Sequence, residues 1–504
     1  MSSIASPIAT SSRTHLWPWL AVASALVVVR TLPYVIWGTL AFDADQAVVG
    51  LMSKHIAEFR ALPVYQYALP YVVMVSAYVT APFMWLFGPT IFALKLPLLL
   101  MNVGVGLLVI IAIVRAGLRP AVAVASSLPV LLTSAVVNAS LMDALGMTVE
   151  PLLFVIVLWY ARRSPVLFGV TAALGFHVRE FVAYGVAAIV AVDVLDGDAF
   201  SAAGRRRWVL CALAALGTTA AISGVARYAS IRGPDTWLVQ ELEGNLSTLG
   251  GAFCFAPRQA WRNIQELVLS YLGILLGAVP RPLADAAVQT RVWQGLPGAW
   301  AVFGGWMLVI VALIVTRVKT LWTRRHQDVV QLGLFLALVG FQSIFVYTIS
   351  RCGPLSLITV RYALMGVFLP TGLALLAWAV DPPRAIRTGL VAAFVALAGL
   401  NGWTHLRLWQ EQVAGAPVPN RVQLVEALEA QGIRYARSDY WTAYYVDFLS
   451  QERVIVGADT LSRVDVYERA LAQHATEVVR LSTEPCGDTP PIVPGYYVCR
   501  DTAP

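Results

Sequence analysis

The residues of this sequence best placed to do chemistry are ionisable side chains beside long apolar runs. Asp43 and Asp45, in Phe42-Asp43-Ala44-Asp45-Gln46, follow the first apolar block. Two carboxylates at i and i+2 could hold a cation or share a general-base role, each raising the other's pKa. Either also suits the N-cap of a helix over 46–59, and one Asp can cap while the other works. Asp143 lies in a short loop, 138–146, as a solvated residue, a helix cap or a working group. Glu150 opens the next apolar run, where an unpaired carboxylate is costly. Arg179-Glu180 sits between two apolar runs, either as a local pair or pointing into a shared cavity. Arg361-Tyr362 opens the apolar run 363–380. That guanidinium either snorkels to the membrane interface or grips a phosphate in bidentate fashion with the tyrosine hydroxyl beside it.

The elements that must position these groups are membrane helices. The 504 residues are 58% hydrophobic and 13% charged, about half the charge of a soluble domain. Mean hydropathy is +0.69. The apolar residues come in long blocks without strand alternation, which favours helices over a barrel. The net charge of +7 resides in short basic clusters between those blocks, a topology signal that gives no support to nucleic-acid binding. Spans are expected at 16–37, 91–114, 120–137, 147–160, 166–176, 181–195, 208–226, 298–316, 329–349, 358–380 and 388–404.

Arg115/Arg119, Arg162/Arg163, Arg205 to Arg207, the Arg317/Lys319/Arg324/Arg325 group and Arg384/Arg387 then all fall on the cytoplasmic side, with the N-terminus (1–15) inside. The transmembrane domain is 16–404. Outer loops are expected at 38–90 and 227–297, and an outer tail at 405–504. Residues 69–87 are long enough to span. A span there would invert every later basic cluster, so they are assigned to a helix lying in or dipping into the interface. The block 16–37 is too long for a signal-peptide core and is retained as a first helix.

In the tail, helix is expected over 419–431, 440–449 and 464–473, and strand over 433–436 and 453–456, giving a small α/β domain. Cys211 falls inside a span as a buried thiol. Cys486 and Cys499 could form a disulfide in an oxidising compartment, as could Cys254 and Cys352; the alternative is that all are free. No phosphate-binding loop, dinucleotide fingerprint, HExxH or paired CxxC occurs.

Several of these segments, in order, resemble the GT-C superfamily of membrane glycosyltransferases, nearest to the bacterial protein O-mannosyltransferase and lipid A aminoarabinose transferase family. The resemblance runs over about 16–380. It is carried by Asp45-Gln46, by Tyr65-Gln66-Tyr67-Ala68-Leu69-Pro70-Tyr71, and by the Phe87-Gly88 that closes an apolar segment. Phe92-Ala93-Leu94-Lys95-Leu96-Pro97, Leu141-Met142-Asp143-Ala144 and Arg361-Tyr362-Ala363-Leu364 before Pro370 complete it. The family's acidic pair reads Asp-Gln here, with the second carboxylate moved to Asp43, and Lys95 stands where Arg is usual.

The resemblance implies a polytopic all-α membrane bundle with outer juxtamembrane helices. It implies transfer of a sugar from a polyprenyl-phosphate donor to a lipid, glycan or protein acceptor on the outer face of a bacterial inner membrane. Asp45 is the implied base, with Asp43 orienting or replacing it. Arg361 and Tyr362 would hold the phosphate, helped by Arg179 of the Arg179-Glu180 pair. Asp143 would position the acceptor or a divalent cation, and Gln66, Tyr67 and Tyr71 would line the sugar pocket. Two rivals are a flippase of lipid-linked sugars, which would show paired inverted repeats or broken helices not evident in the sequence, and a non-catalytic envelope-binding protein working through its tail.

Overall fold

A computed structural model describes residues 16–232, 256–277, 299–415 and 418–499. Every one of the eleven expected segments falls on helix. Among the described residues six helices are long and apolar enough to cross a membrane, seven if the bent pair Pro120–Leu131 and Ala135–Leu141 counts as one span, and Val75–Phe87, Val149–Ala161, Pro165–Val178 and Phe303–Thr316 are shorter apolar helices. The protein is a multi-pass integral membrane protein with a small sheet-containing tail.

Helix α1 (Trp17–Ile36) leads through a 3₁₀ turn (Gly38–Ala41) into helix α2 (Ala44–Ala57). The backbone of Asp43 is extended and its carboxylate accepts from the Gln46 amide at 3.0 Å, so it is the N-cap of α2. The next segment corrects the expectation of one helix over 69–87. Tyr65–Gln66 and Leu69–Val73 form an antiparallel hairpin, and helix begins only at Val75, ending at Phe87. Pro70 offers no amide to a helical ladder, and Tyr71-Val72-Val73 are strand formers. With 13 residues, the helix is shorter than the roughly 20 a crossing needs.

The pair α5 (Pro120–Leu131) and α6 (Ala135–Leu141) is bent by 80°, which corrects the expectation of one span over 120–137; Pro129 and the Ser134 cap mark the break. A break at membrane depth strands carbonyls that must find donors inside the protein. Three successive ones do. Arg30 Nε donates to Leu131 O at 3.0 Å, Asn401 Nδ2 to Leu132 O at 2.8 Å, and His405 Nε2 bonds Thr133 O at 2.9 Å. Arg30, 2% exposed, also donates to Asn138 and, at 2.9 Å, to Asn102. The break is thus a sealed structural bend, and its outcome is to turn the chain at Leu141 into the loop that carries Asp143. Asn138, expected in that loop, belongs to α6.

Helix Arg384–Val413 brings the chain to the tail. There the helices Asn420–Ala430, Tyr440–Leu449 and Asp465–Gln473 match expectation closely, while the strands settle at Tyr435–Ser438 and Ile455–Ala458. Two further strands, Val479–Ser482 and Tyr497–Cys499, complete a four-stranded sheet in which Tyr435–Ser438 pairs in parallel with both Ile455–Ala458 and Val479–Ser482. Cys486 and Cys499 are disulfide-bonded with Cα atoms 5.8 Å apart, and Cys211 is a buried free thiol. Cys352 is also disulfide-bonded; the partner expected for it, Cys254, lies outside the described residues.

The tail docks onto α2 through the helix Tyr440–Leu449. Phe42 packs on Tyr445 and Phe448, with ring centroids 5.2 and 5.6 Å apart. Gly50 is required at the crossing, because a Cβ there would stand 2.5 Å from the Phe448 ring. Past the helix, Glu452 enters a cationic recess. It accepts from Lys54, from His55 Nε2 at 2.9 Å, from Arg60 Nη1 at 2.6 Å and from Tyr467 Oη at 2.9 Å. Burial opposes ionisation there, but His55, Arg60 and Lys54 hold the carboxyl well below the usual carboxylate range.

Replacing Arg30 by Met should strand the Leu131 carbonyl and the two asparagine amides. We expect thermal unfolding of the detergent-purified protein to show a loss of about 2 kcal/mol or more, only partly restored by Lys, whose single ammonium cannot reproduce the fork.

Candidate active site

The ends of α1, α4 (Ile91–Arg115), α6 and the 3₁₀ segment Ile358–Val367 meet beneath the N-terminus of α2, and the ionisable residues of the sequence converge there. Asp45 stands in the first turn of α2. Its Oδ1 accepts from Tyr440 Oη of the tail at 2.6 Å and lies 3.7 Å from Arg463 Nη2. Among the described residues no hydrogen bond reaches Oδ2, and the side chain is 24% exposed. Asp43 is committed differently, its Oδ1 taken by the cap. Burial pushes the Asp43 carboxyl above its usual range, the Gln46 amide opposing and Asp45 adding to the shift.

Gln46 is 1% exposed and ties the second acidic loop to α2. Its Nε2 donates to Asp143 Oδ1 at 3.3 Å and to Ala41 O at 3.2 Å, and its Oε1 accepts from the Ala144 amide at 3.0 Å. Thr148 Oγ1 donates to the Asp143 carbonyl at 2.9 Å and closes the turn. Burial raises the Asp143 carboxyl above its usual range, with Asp43 and Asp45 adding to the rise and Lys95 and Arg361 opposing it. Lys95 is wholly buried, donates to Ala41 O and faces both Asp143 and Asp43. Arg361 is within electrostatic reach of Asp43, Asp45 and Asp143.

Beside the carboxylates, three guanidinium groups surround one ring. Arg179, Arg351 and Arg361 have their Cζ atoms 5.6, 5.8 and 5.5 Å from the centroid of Tyr362. In each the Nε is buried without a hydrogen-bond partner among the described residues. Glu180 lies 3.4 Å from Arg179 Nε as a half-exposed counter-ion. Glu150 is 2% exposed and takes the Thr148 amide on Oε2 at 3.1 Å, leaving Oε1 unpartnered.

The three hairpin residues sit away from open space. Tyr67 is 1% exposed, its hydroxyl 2.9 Å from His55 Nδ1 and its carbonyl accepting from Arg463 Nη1 at 3.1 Å. Gln66 is 4% exposed with its Oε1 unpartnered, and Tyr71 is half-buried. Sequence reasoning passed over Arg351 and Arg463, met Lys95 and Gln46 only as motif members, and met Tyr440 only as the start of a tail helix. A signal existed for Arg351, an arginine on the outer side ten residues before Arg361. None existed for the tail pair. Among the described residues, no three of His, Cys, Asp and Glu are gathered in a set that could hold a metal ion.

This architecture is shared with solved membrane enzymes. The oligosaccharyltransferase of Archaeoglobus fulgidus in its apo form superposes with a TM-score of 0.50 at 14% identity, over 94% of this chain and 70% of that one. The same enzyme in complex with Zn and sulfate gives 0.51 at 12% identity, over 92% and 67%. The chain has the GT-C fold. A further structure, ArnT from Cupriavidus metallidurans bound to undecaprenyl phosphate, gives 0.48 at 12% identity over 94% and 93%. No family model and no curated protein matches the sequence.

Gln46→Glu is expected to test the tie between α2 and the acidic loop. The introduced carboxylate would face Asp143 and lose the donor to Ala41. Repulsion requires both acids ionised, so the loss of stability should be greatest at about pH 8 and shrink toward about pH 5 as they take up protons. A cost of about 1–3 kcal/mol at the higher pH would appear in thermal melts recorded across that range.

Proposed function

We propose that this protein is a membrane glycosyltransferase that moves a sugar from a polyprenyl-phosphate donor to a hydroxyl-bearing acceptor at the outer face of a bacterial inner membrane. The observation that carries the reading is the meeting of a partly exposed carboxylate, Asp45, with three guanidinium groups around Tyr362 whose Nε atoms donate no hydrogen bond among the described residues. Buried donors without acceptors are rare in folded proteins, and planar forks with open N–H groups suit a phosphate.

In this reading the donor phosphate sits against Arg179, Arg351 and Arg361 near Tyr362. Asp45 Oδ2 takes the proton of the acceptor hydroxyl as its oxygen bonds the anomeric carbon. The bond from that carbon to the phosphate oxygen breaks, and polyprenyl phosphate departs with the electron pair, its charge met by the guanidinium groups. The sugar inverts. Asp143, held by Gln46, orients the acceptor or a divalent cation. Asp43 keeps the helix start in place. The donor carries its own leaving group, so no nucleotide site is needed. The N-terminus is cytoplasmic and the tail outside, the side on which two disulfide-bonded cysteines, 486 and 499, are stable.

The test is mass spectrometry of envelope glycolipids and glycans from a deletion strain complemented with wild type or Asp45→Asn. Wild type should restore a sugar-bearing product and Asp45→Asn should not, at equal membrane abundance. Restoration by Asp45→Asn would sink the carboxylate-base mechanism. Arg351→Gln and Arg361→Gln should each raise the donor KM about tenfold or more, the loss of one charge-assisted contact. The rate of polyprenyl phosphate release from extracted donor lipid measures it.

A further inference from the structure

The contact between the tail and Asp45 crosses 395 residues of sequence, and its geometry is that of a relay. Arg463 Nε donates to Tyr440 Oη at 2.8 Å, and Tyr440 Oη donates to Asp45 Oδ1 at 2.6 Å. Arg463 is itself fixed. Its Nη1 donates to the Tyr67 carbonyl of the hairpin, its amide to the Tyr444 hydroxyl, and it is only 9% exposed. Tyr440 is 8% exposed, with its ring edge-on to Tyr444 and Trp441 at 5.2 and 5.3 Å. The hydroxyl therefore has one place to point.

We infer that the C-terminal domain is part of the catalytic centre, with Tyr440 and Arg463 as positioning residues that fix the orientation of the Asp45 carboxylate. The inference rests on the reading of Asp45 as the base. A carboxylate on a free side chain can rotate about its last torsion. With Oδ1 held by Tyr440 and Arg463, Oδ2 is presented to the acceptor in one orientation. The docking of the tail reads as the means to that end. The aromatic contact at Phe42 and the Glu452 recess anchor the helix Tyr440–Leu449 along α2, so that Tyr440 arrives at the first turn of α2 with its hydroxyl in reach. Remove the tail and Asp45 keeps its place on the helix but loses both groups that orient it.

The expected signature is a loss in turnover with binding intact. Asp45 makes its contribution only as the acceptor is deprotonated, and neither Tyr440 nor Arg463 lies among the guanidinium groups around Tyr362. The experiment uses the full-length protein in detergent, polyprenyl-phosphate sugars extracted from the parent strain as donor, and envelope material of the deletion strain as acceptor. Release of polyprenyl phosphate gives kcat and the donor KM. Tyr440→Phe keeps the ring and its packing and removes only the hydroxyl; it should lower kcat about tenfold or more with donor KM within about twofold, as expected for a misaligned catalytic group. Arg463→Ala should do the same and Arg463→Lys should recover part of the rate.

Equal melting temperatures for Tyr440→Phe and wild type show that the fold is kept. Wild-type kcat in both Tyr440→Phe and Arg463→Ala, beside an inactive Asp45→Asn, overturns the inference and leaves the base assignment standing. A rise in donor KM with kcat unchanged assigns the pair to binding and also overturns it. Activity in Asp45→Asn removes the base assignment itself, and this inference with it.

Discussion

Charge buried at the edge of an apolar bundle has to be compensated where it stands, and that constraint shapes the end of this protein that carries α2 and the tail. Arg30 is spent on a carbonyl and two asparagines at the helix break. Lys95 is set between the Ala41 carbonyl and two carboxylates. Glu452 is enclosed by Lys54, His55, Arg60 and Tyr467. Against that background, uncompensated groups stand out. Among the described residues the Nε atoms of Arg179, Arg351 and Arg361 donate no hydrogen bond, although Glu180 lies 3.4 Å from that of Arg179, and Asp45 Oδ2 takes none. Buried donors left open cost stability, and in the proposed reading a ligand that brings a phosphate and a hydroxyl supplies what they lack.

Much of this was legible in the sequence because it is local. Basic clusters between apolar blocks pointed to the helices, and the Asp-x-Asp after α1 announced the cap at Asp43. The helix Tyr440–Leu449 was read to the residue from its apolar run after Asp439. The hairpin at 65–73 was missed because Leu69-Pro70-Tyr71-Val72-Val73 continues without a polar break into a real helix, and hydrophobic blocks do not state their period. The strands Val479–Ser482 and Tyr497–Cys499 were missed because each is too short to alternate visibly; the pairing of one with the other supplies what length does not. The bend after Leu131 was missed although Pro129 and the Ser134 cap mark its place, because the groups that satisfy its carbonyls lie elsewhere. Arg30, Asn401 and His405 lie in two other helices, far away in sequence.

The same separation hid the division of labour in the acidic cluster. Asp43, Asp45 and Asp143 are alike as letters, and the fold makes them different. Asp43 is held by a backbone amide and serves the helix. Asp143 is held by an amide side chain and is turned toward Lys95. Asp45 is held on Oδ1 by Tyr440 and Arg463 of the tail, and its side chain is 24% exposed. Glutamine at position 46 is what permits this arrangement. The loop presents a carboxylate and a backbone amide side by side, so α2 must offer a donor and an acceptor from one side chain. Gln46 does so through Nε2 and Oε1, whereas an ionised glutamate could serve only the Ala144 amide. The departure of Asp45-Gln46 from the Asp-Glu of the family it resembles is therefore coherent with the surrounding geometry. The amide holds Asp143 in place through Nε2 and fixes the loop to α2 through Oε1, beside Asp45.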